Sequence, residues 1–427
     1  MQRTEKCTSS AAVLPTEVWI MVFERLSSLK TICECSKVCR EWRALASNDA
    51  VWGALLQDAC VDIATETRLQ VSDPTDQSST PASRSKRIYA AWHQRYYGFT
   101  DSYTRMRKAI LRLESWAGAN CEPLLQSLAP GLGWMEKETM PVRELLGVVN
   151  DSPAMRDFII LYHFHDGQRR RQRYLPYGLF GSYECYGEFC SLSWLSSRML
   201  QVISMGQVRL LIFAWCHTSR NYLAVVIDCP ATYAYNLLHH VIQLQPQSYR
   251  FVDKGQFGDF FINYIDELVS GRYDVHEGII SMFPNHGPHA STSVSHGIRT
   301  TVSTMFCTDE TPRFRVYRYE VTFELLNSNV LGFPSAQVKS RRWLLHYANN
   351  EYAHSGGAGV VGQFPIISDD EPYYRYCSRL QDEETGMMII GFEGQIVMVP
   401  GSLDHPQGPE FTLEIPYTEL PVPFEIL

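Results

Sequence analysis

Val316-Tyr317-Arg318-Tyr319-Glu320-Val321-Thr322-Phe323-Glu324-Leu325 is rich in β-branched and aromatic residues and contains neither Gly nor Pro. That composition suits a pleated, half-buried surface, so the stretch reads as a strand. Five further stretches continue the series: Ser340 to Tyr347, Tyr373 to Ser378, Met387 to Phe392, Gln395 to Val399 and Phe411 to Ile415. Gly, Pro, Asp and Asn punctuate the gaps. Short strands at this spacing predict an antiparallel sandwich or barrel for the C-terminal region.

Upstream the pattern changes. Met106, Ile110, Leu113 and Ala117 form a helical stripe, with Arg105, Arg107, Lys108 and Arg112 beside it. Asp157 to Phe164, Val208 to Trp215 and Leu223 to Ile227 are apolar runs of strand length, and Pro230 closes the last. Phe260 to Leu268 reads as a helix with Phe261, Ile265 and Leu268 on one face. The middle region is therefore expected to be α+β. Glu66 to Arg87 and Pro284 to Gly297 are polar, with Pro, Ser and Thr or Pro, His and Gly, and read as loops.

The N-terminal segment is helical. Pro15 opens a run with Val18, Met21, Val22 and Leu26 at helical spacing. A second run sets Ile32, Cys35, Val38 and Trp42 on one side, and Trp52, Leu55 and Leu56 follow in a third. About 45 residues cannot bury that much apolar surface alone. Either the next domain covers it or another protein does.

Composition excludes several function classes. The chain has 427 residues, 46 acidic and 38 basic side chains and a formal charge of −8, which gives no general attraction to nucleic acid or an anionic membrane. No apolar stretch reaches the roughly 18–20 residues of a bilayer span, and the N-terminus lacks a continuous signal core. An intracellular protein is expected, in cytoplasm or nucleus, with its 12 cysteines reduced. Cys33, Cys35 and Cys39 lie close together, but no second pair completes a zinc set, and no metal or cofactor is expected.

The chemical motifs are sparse. Gly357, Gly359 and Gly362 spell G-x-G-x-x-G, yet Val360-Val361 and Phe364-Pro365-Ile366-Ile367 follow, and Pro365 denies the helix that a dinucleotide site requires. The glycines serve either a tight structural loop or one whose amides bind an anion, with Arg341 and Arg342 nearby. Ser27 and Lys30 match S-x-x-K, but within a turn and without a companion motif. Arg169, Arg170, Arg171 and Arg173 read as a solvated loop or as a site for an acidic or phosphate-bearing partner. His163 and His165 share a face if they lie on a strand, and no third ligand accompanies them. No residue presents itself as a nucleophile or general base.

Leu14-Pro15-Thr16-Glu17-Val18-Trp19-Ile20, Val38-Cys39-Arg40-Glu41-Trp42-Arg43 and Trp52 resemble an F-box. The resemblance implies three helices packed on a Skp1-type adaptor, which leads to a cullin–RING ubiquitin ligase. It marks Leu14, Pro15, Val18, Leu26 and Val38 as adaptor contacts and leaves Trp42 to the internal core. Ser340-Arg341-Arg342-Trp343-Leu344-Leu345, the stretch Gly357 to Pro365, and Tyr376-Cys377-Ser378 resemble an ApaG domain, a fibronectin-III-like sandwich. Gly386-Met387-Met388-Ile389-Ile390-Gly391 is one residue longer than the usual ApaG turn. His165-Asp166-Gly167-Gln168 and Gly178-Leu179-Phe180-Gly181-Ser182 are similar to SUKH (Smi1/Knr4-like) domains. The three-part order resembles the F-box-only protein 3 family of animals and, at Val399 to Asp404, the Skp1-interacting partner 16 type of plants.

The expected architecture is multidomain α+β: an F-box over 12–58, a linker and connecting helix over 59–103, a SUKH-like domain over 104–275 and an ApaG β-sandwich over 290–427. The resemblance implies a non-catalytic substrate receptor of a Skp1–cullin–F-box ligase, with unknown client proteins recruited by the two C-terminal domains. The alternative is a ligase-independent scaffold or sensor whose sandwich binds a small anion, with Arg341, Arg342, Gly357, Gly359 and Gly362 as the candidate ligand or client loop.

Overall fold

The computed structural model describes residues 15–26, 28–61, 84–131, 152–169, 177–216, 218, 221–230, 236–244, 250–307, 315–382 and 387–425. It divides into two compact units, Met1–Lys108 and Ala109–Leu427.

The first unit is helical: α1 (Thr16–Glu24), α2 (Leu29–Cys35), α3 (Arg40–Leu45), α4 (Asp49–Asp58) and α5 (Arg84–Arg95), with α6 (Thr100–Asn120) crossing the division. The run read as one helix through Ile32, Cys35, Val38 and Trp42 is two. Cys39 turns extended, and its Sγ accepts the Trp42 amide at 3.4 Å, so α3 starts afresh with its own cap. Ser28 and Asn48 cap α2 and α4 in the same manner. The core gathers Phe23, Ile32, Leu45, Val51, Trp52 and Leu55, with Trp19, Ile20, Leu26 and Trp42 packed on it. Trp42 meets Trp19 at 5.7 Å and Phe23 edge-on at 5.5 Å. The Trp52 indole donates to the Ala46 carbonyl at 2.8 Å, so its one polar atom is satisfied.

The second unit opens on α7 (Glu122–Ser127), β1 (Leu128–Pro130), α8 (Pro153–Phe164) and β2 (His165–Gln168). Asp157 to Phe164, read as a strand, is helix. Ser152 caps α8 by accepting the Met155 amide, Pro153 sits in its first turn, and most of its residues are buried. A helix buried all round carries no polar face and therefore no helical period. The correction separates His163, in the last turn of α8, from His165, which opens β2.

Then come β3 (Ser182–Cys185), β4 (Glu188–Ser191), β5 (Ser193–Trp194), β6 (Gln201–Met205), β7 (Val208–Trp215), β8 (Tyr222–Asp228), β9 (His240–Leu244), β10 (Arg250–Gln256), α9 (Phe257–Val269), β11 (Tyr273–His276) and β12 (Ile279–Pro284). The main sheet includes the order β10-β9-β8-β7-β5, antiparallel throughout, with β6 also on β7. One face carries Leu210, Ile212, Ala224, Val226, Ile242 and Leu244. Helices α8 and α9 cover the other through Phe158, Phe213 and Phe257, whose rings lie 4.9–6.1 Å apart. A second sheet runs β11-β12-β3-β4.

The remaining elements are β13 (Ala290–Ser295), β14 (Ile298–Cys307), β15 (Val316–Leu325), α10 (Ser328–Leu331), β16 (Ser335–Tyr347), β17 (Tyr352–Ala358), β18 (Ile366–Ser368), β19 (Tyr373–Gln381), β20 (Ile389–Pro400), β21 (Phe411–Glu419) and β22 (Phe424–Glu425). Sheets β13-β14-β15-β19 and β17-β16-β20-β21 face each other across a core containing Tyr319, Val321, Phe323, Trp343, Ile396 and Phe392. Trp343 meets Tyr319 and Phe392 edge-on at 5.7 and 5.2 Å. Three strand expectations change. Ala290–Ser295, inside a stretch read as loop, is strand β13; Ser291 and Ser293 hydrogen-bond across to β21, which explains its small polar composition. The stretches Met387 to Phe392 and Gln395 to Val399 are one strand, β20. Gly394 does not break it: a Cβ there would lie 2.1 Å from the Arg342 carbonyl oxygen, so the glycine permits close strand approach. The extra residue near Gly386 to Gly391 is absorbed as a bulge, because His346 pairs with Gly391 while Tyr347 pairs with Ile389. Finally, β22 returns to the middle sheet and pairs with β10 through Phe424↔Phe251 and Glu425↔Arg250.

Two predictions follow from packing. Phe23 is buried against Trp42, so Phe23→Ala should cost about 3–5 kcal/mol and abolish amide-exchange protection across 16–58, whereas Val18→Ser should leave that protection intact. In the sandwich, Glu320 is shielded from water with Arg375 3.8 Å away; burial outweighs the guanidinium and raises its pKa to about 7. The folded-state pKa lies above the unfolded value, so stability falls as pH rises from the ordinary carboxylate range to about 7. Glu320→Gln should therefore stabilise the chain at pH 8 by on the order of 2 kcal/mol, with the gain shrinking as pH falls toward 5 in denaturant melts.

Candidate docking surface

Helix α1 is apolar on two sides. Phe23 points into the unit's core, with Trp19, Ile20 and Leu26 packed on it. Val18, Met21 and Val22 face the other way, at offsets of three and four, and are 38%, 62% and 44% exposed. Val38, in the turn between α2 and α3, is 65% exposed. Pro15, at the N-cap of α1, is exposed as well, and its carbonyl accepts the Val18 and Trp19 amides.

Of the sequence candidates, Pro15, Val18 and Val38 are thus outward-facing, and Leu26 is half-buried against the core. Leu14 lies outside the described residues. Trp42 belongs to the internal packing. Met21 and Val22 were not singled out as contacts, although their spacing with Val18 already carried the signal. Aliphatic exposure of this kind on one helix is unfavourable in isolation and makes the stripe a candidate interaction surface.

The glycine loop has a different geometry. Gly357, next to last in β17, pairs with Arg341, whose guanidinium lies 3.5 Å from where a Cβ would stand. Arg341 Nη1 donates to the Gly359 carbonyl at 3.1 Å. Arg342 follows on the strand, is exposed, and by strand alternation lies on the other face. Gly359 has φ +60°, and a Cβ there would lie 2.3 Å from the Gln363 carbonyl oxygen. The Gly359 amide donates to Lys339, and Val360 and Gln363 exchange amide bonds at 2.8 and 2.9 Å. These contacts commit the Val360 and Gln363 amides to the turn itself and the Gly359 amide to β16.

The remaining motifs sit apart. His165 is held between the Ala129 carbonyl at 3.1 Å and the Glu114 carboxylate at 2.8 Å. Arg169 is exposed; Arg170, Arg171 and Arg173 lie outside the described residues, as does Ser27. Cys33, Cys35 and Cys39 are free thiols, and among the described residues no group of three or more His, Cys, Asp or Glu could hold a metal ion. No described helix is long and apolar enough to cross a membrane.

Comparison with known proteins agrees with this arrangement. The F-box-like family matches residues 11–58, and the ApaG domain family matches residues 308–399. F-box protein SKIP16 of Arabidopsis thaliana is 22% identical over 426 residues, covering 90% of this chain and 93% of the relative. F-box only protein 3 of Homo sapiens is 24% identical over 400 residues, covering 88% and 77%. Protein ApaG of Shewanella sediminis is 29% identical over 133 residues, covering 31% of this chain and 96% of its own length. The chain therefore carries an F-box-like domain followed by an ApaG domain, and is homologous across most of its length to F-box only protein 3 and F-box protein SKIP16.

Proposed function

We propose that this chain is the substrate-recognition subunit of a Skp1–cullin–F-box ubiquitin ligase. Homology to F-box proteins supports the general role. The observation that carries it to this chain is the outward stripe of Pro15, Val18, Met21, Val22 and Val38 on a domain whose aromatic residues are already used inward. A Skp1-type adaptor covers that stripe and leads to the cullin–RING core. The regions beyond the F-box, including the ApaG sandwich, hold a client. The chain then acts by proximity: a client lysine is kept at high effective concentration near the charged ubiquitin carrier, and the bond chemistry belongs to the partner enzymes. An interface of this kind buries roughly 1,200–2,000 Å².

The test is co-purification of adaptor with the full chain. Val18→Ser combined with Met21→Ser removes two central aliphatic contacts and should weaken adaptor binding by about thirtyfold, about 2 kcal/mol. Pro15→Ala with Leu14→Ala should weaken it in the same direction. Amide-exchange protection over 16–58 serves as the folding control. Undiminished adaptor recovery by the folded double variant would sink the proposal.

A further inference from the structure

Within the second unit, a cavity of about 370 Å³ lies between the middle sheet with α9 on one side and the sandwich on the other. Phe260 and Tyr264 of α9 and Met305, Phe306 and Pro421 of the sandwich supply its apolar walls. Its polar lining comes from far apart in the chain: Gln243 on β9, Lys254 on β10, Arg272 and Tyr273 before and in β11, and His289 and Thr304 from the sandwich. A volume of this size falls within the roughly 300–1,000 Å³ range of small-molecule sites.

Both carboxylates in the lining already have partners. Glu267 accepts from Arg272 Nη1 and, at 3.2 Å, from the Tyr273 hydroxyl. Asp253 accepts from His240 at 3.0 Å and from the Gly255 amide at 2.8 Å. Thr304 donates to the Glu419 carbonyl at 2.8 Å. His289 binds the same carbonyl through Nδ1, and burial lowers its pKa, which favours the neutral ring.

Three donors are left over. Lys254 lines the cavity and makes no hydrogen bond or ion pair among the described residues, although Glu267 and Asp253 attract its ammonium through space. Lys254 is exposed, so its ammonium is reachable from solvent at this cavity. Arg272 Nε is buried with no acceptor. Gln243 is 92% buried, being 8% exposed, and its amide has no hydrogen-bond partner among the described residues. Buried donors without acceptors are rare in folded proteins, and each needs an explanation. An ammonium beside one such donor and the Gln243 amide is complementary to negative charge.

We propose that this cavity is a binding site for a small oxyanion, carboxylate or phosphoryl, held by the Lys254 ammonium and the Gln243 amide, with the Arg272 guanidinium adding positive charge to the wall. The site is separate from the glycine loop and does not depend on adaptor binding. Because its walls come from both the middle sheet and the sandwich, an occupant stabilises their present arrangement by mass action.

Pyridoxal 5′-phosphate tests the site in the full-length chain. Its phosphate is an oxyanion, and its aldehyde forms an imine with an unprotonated lysine, fixed by borohydride and mapped by peptide mass spectrometry. Lys254 should be modified several-fold faster than Lys339, which is paired with Glu410 at the surface. Inorganic phosphate, pyrophosphate or citrate at about ten times its dissociation constant should slow Lys254 modification about tenfold and leave Lys339 unaffected. Stronger protection by citrate assigns the site to carboxylates, and stronger protection by phosphate or pyrophosphate assigns it to phosphoryl groups. Gln243→Leu keeps the lysine and the buried volume but removes the amide, so it should weaken the protection while the chain stays folded. Equal labelling of Lys254 and Lys339, or no protection of Lys254 by any of the three anions up to tens of millimolar, would overturn the proposal.

Discussion

The nine residues of α1 present two apolar sides, and the functional reading depends on how they divide. A stretch of this size has little interior, so the large rings of α1, α3 and α4 are drawn inward: Trp19 and Phe23 grip Trp42, and Trp52 closes the floor through its bond to the Ala46 carbonyl. Aliphatic residues are left for the outside. Val18, Met21 and Val22 can be covered or uncovered without disturbing Phe23, because they project from the opposite side of the helix. Within a single helix, the core-facing residues and the exposed aliphatics are thereby kept apart. The break between α2 and α3 serves the same end, since it places Val38 in an exposed turn rather than in the packed stripe that continuous periodicity suggested.

The sandwich was the most legible part of the fold. Strand periodicity and turn residues located β15, β16, β19 and β21, and the same logic failed where a residue served packing instead of punctuation. Gly394 reads as a break, yet its missing side chain is what lets β16 and β20 run together. Ala290–Ser295 looks like loop because its residues are small and polar; as an edge strand it uses the serine hydroxyls to reach the facing sheet. Helix α8 was hidden for the opposite reason. It is apolar on nearly every side, and only the Ser152-Pro153 start signal distinguished it from a buried strand.

The docking surface was partly legible because it is local: offsets of three and four along one helix are visible in a string of letters. The cavity was not. Gln243, Lys254 and Arg272 belong to three elements, none forms a motif, and nothing in their neighbours marks the first as buried or the others as short of acceptors. Their shared environment exists only after the sheet, α9 and the sandwich have packed. The glycine motif shows the converse. It was conspicuous in sequence, and the fold engages Val360 and Gln363 in closing their own turn and Gly359 in bonding β16.

A receptor that works by proximity gains only as much as its client-holding part is stiff, since effective concentration falls when a tether explores more volume. Two features of the second unit bear on that stiffness. The chain's last described strand, β22, leaves the sandwich to hydrogen-bond with β10 of the middle sheet. The adjoining residues of β10 reach Lys254 in the cavity wall, and Pro421, just before β22, lines the same space. The covalent return of the chain and the cavity thus act on the same seam between sheet and sandwich. An oxyanion held by Lys254 and Gln243 would neutralise the ammonium there and tighten the seam. Its binding energy would then favour the arrangement in which both regions can present one client together.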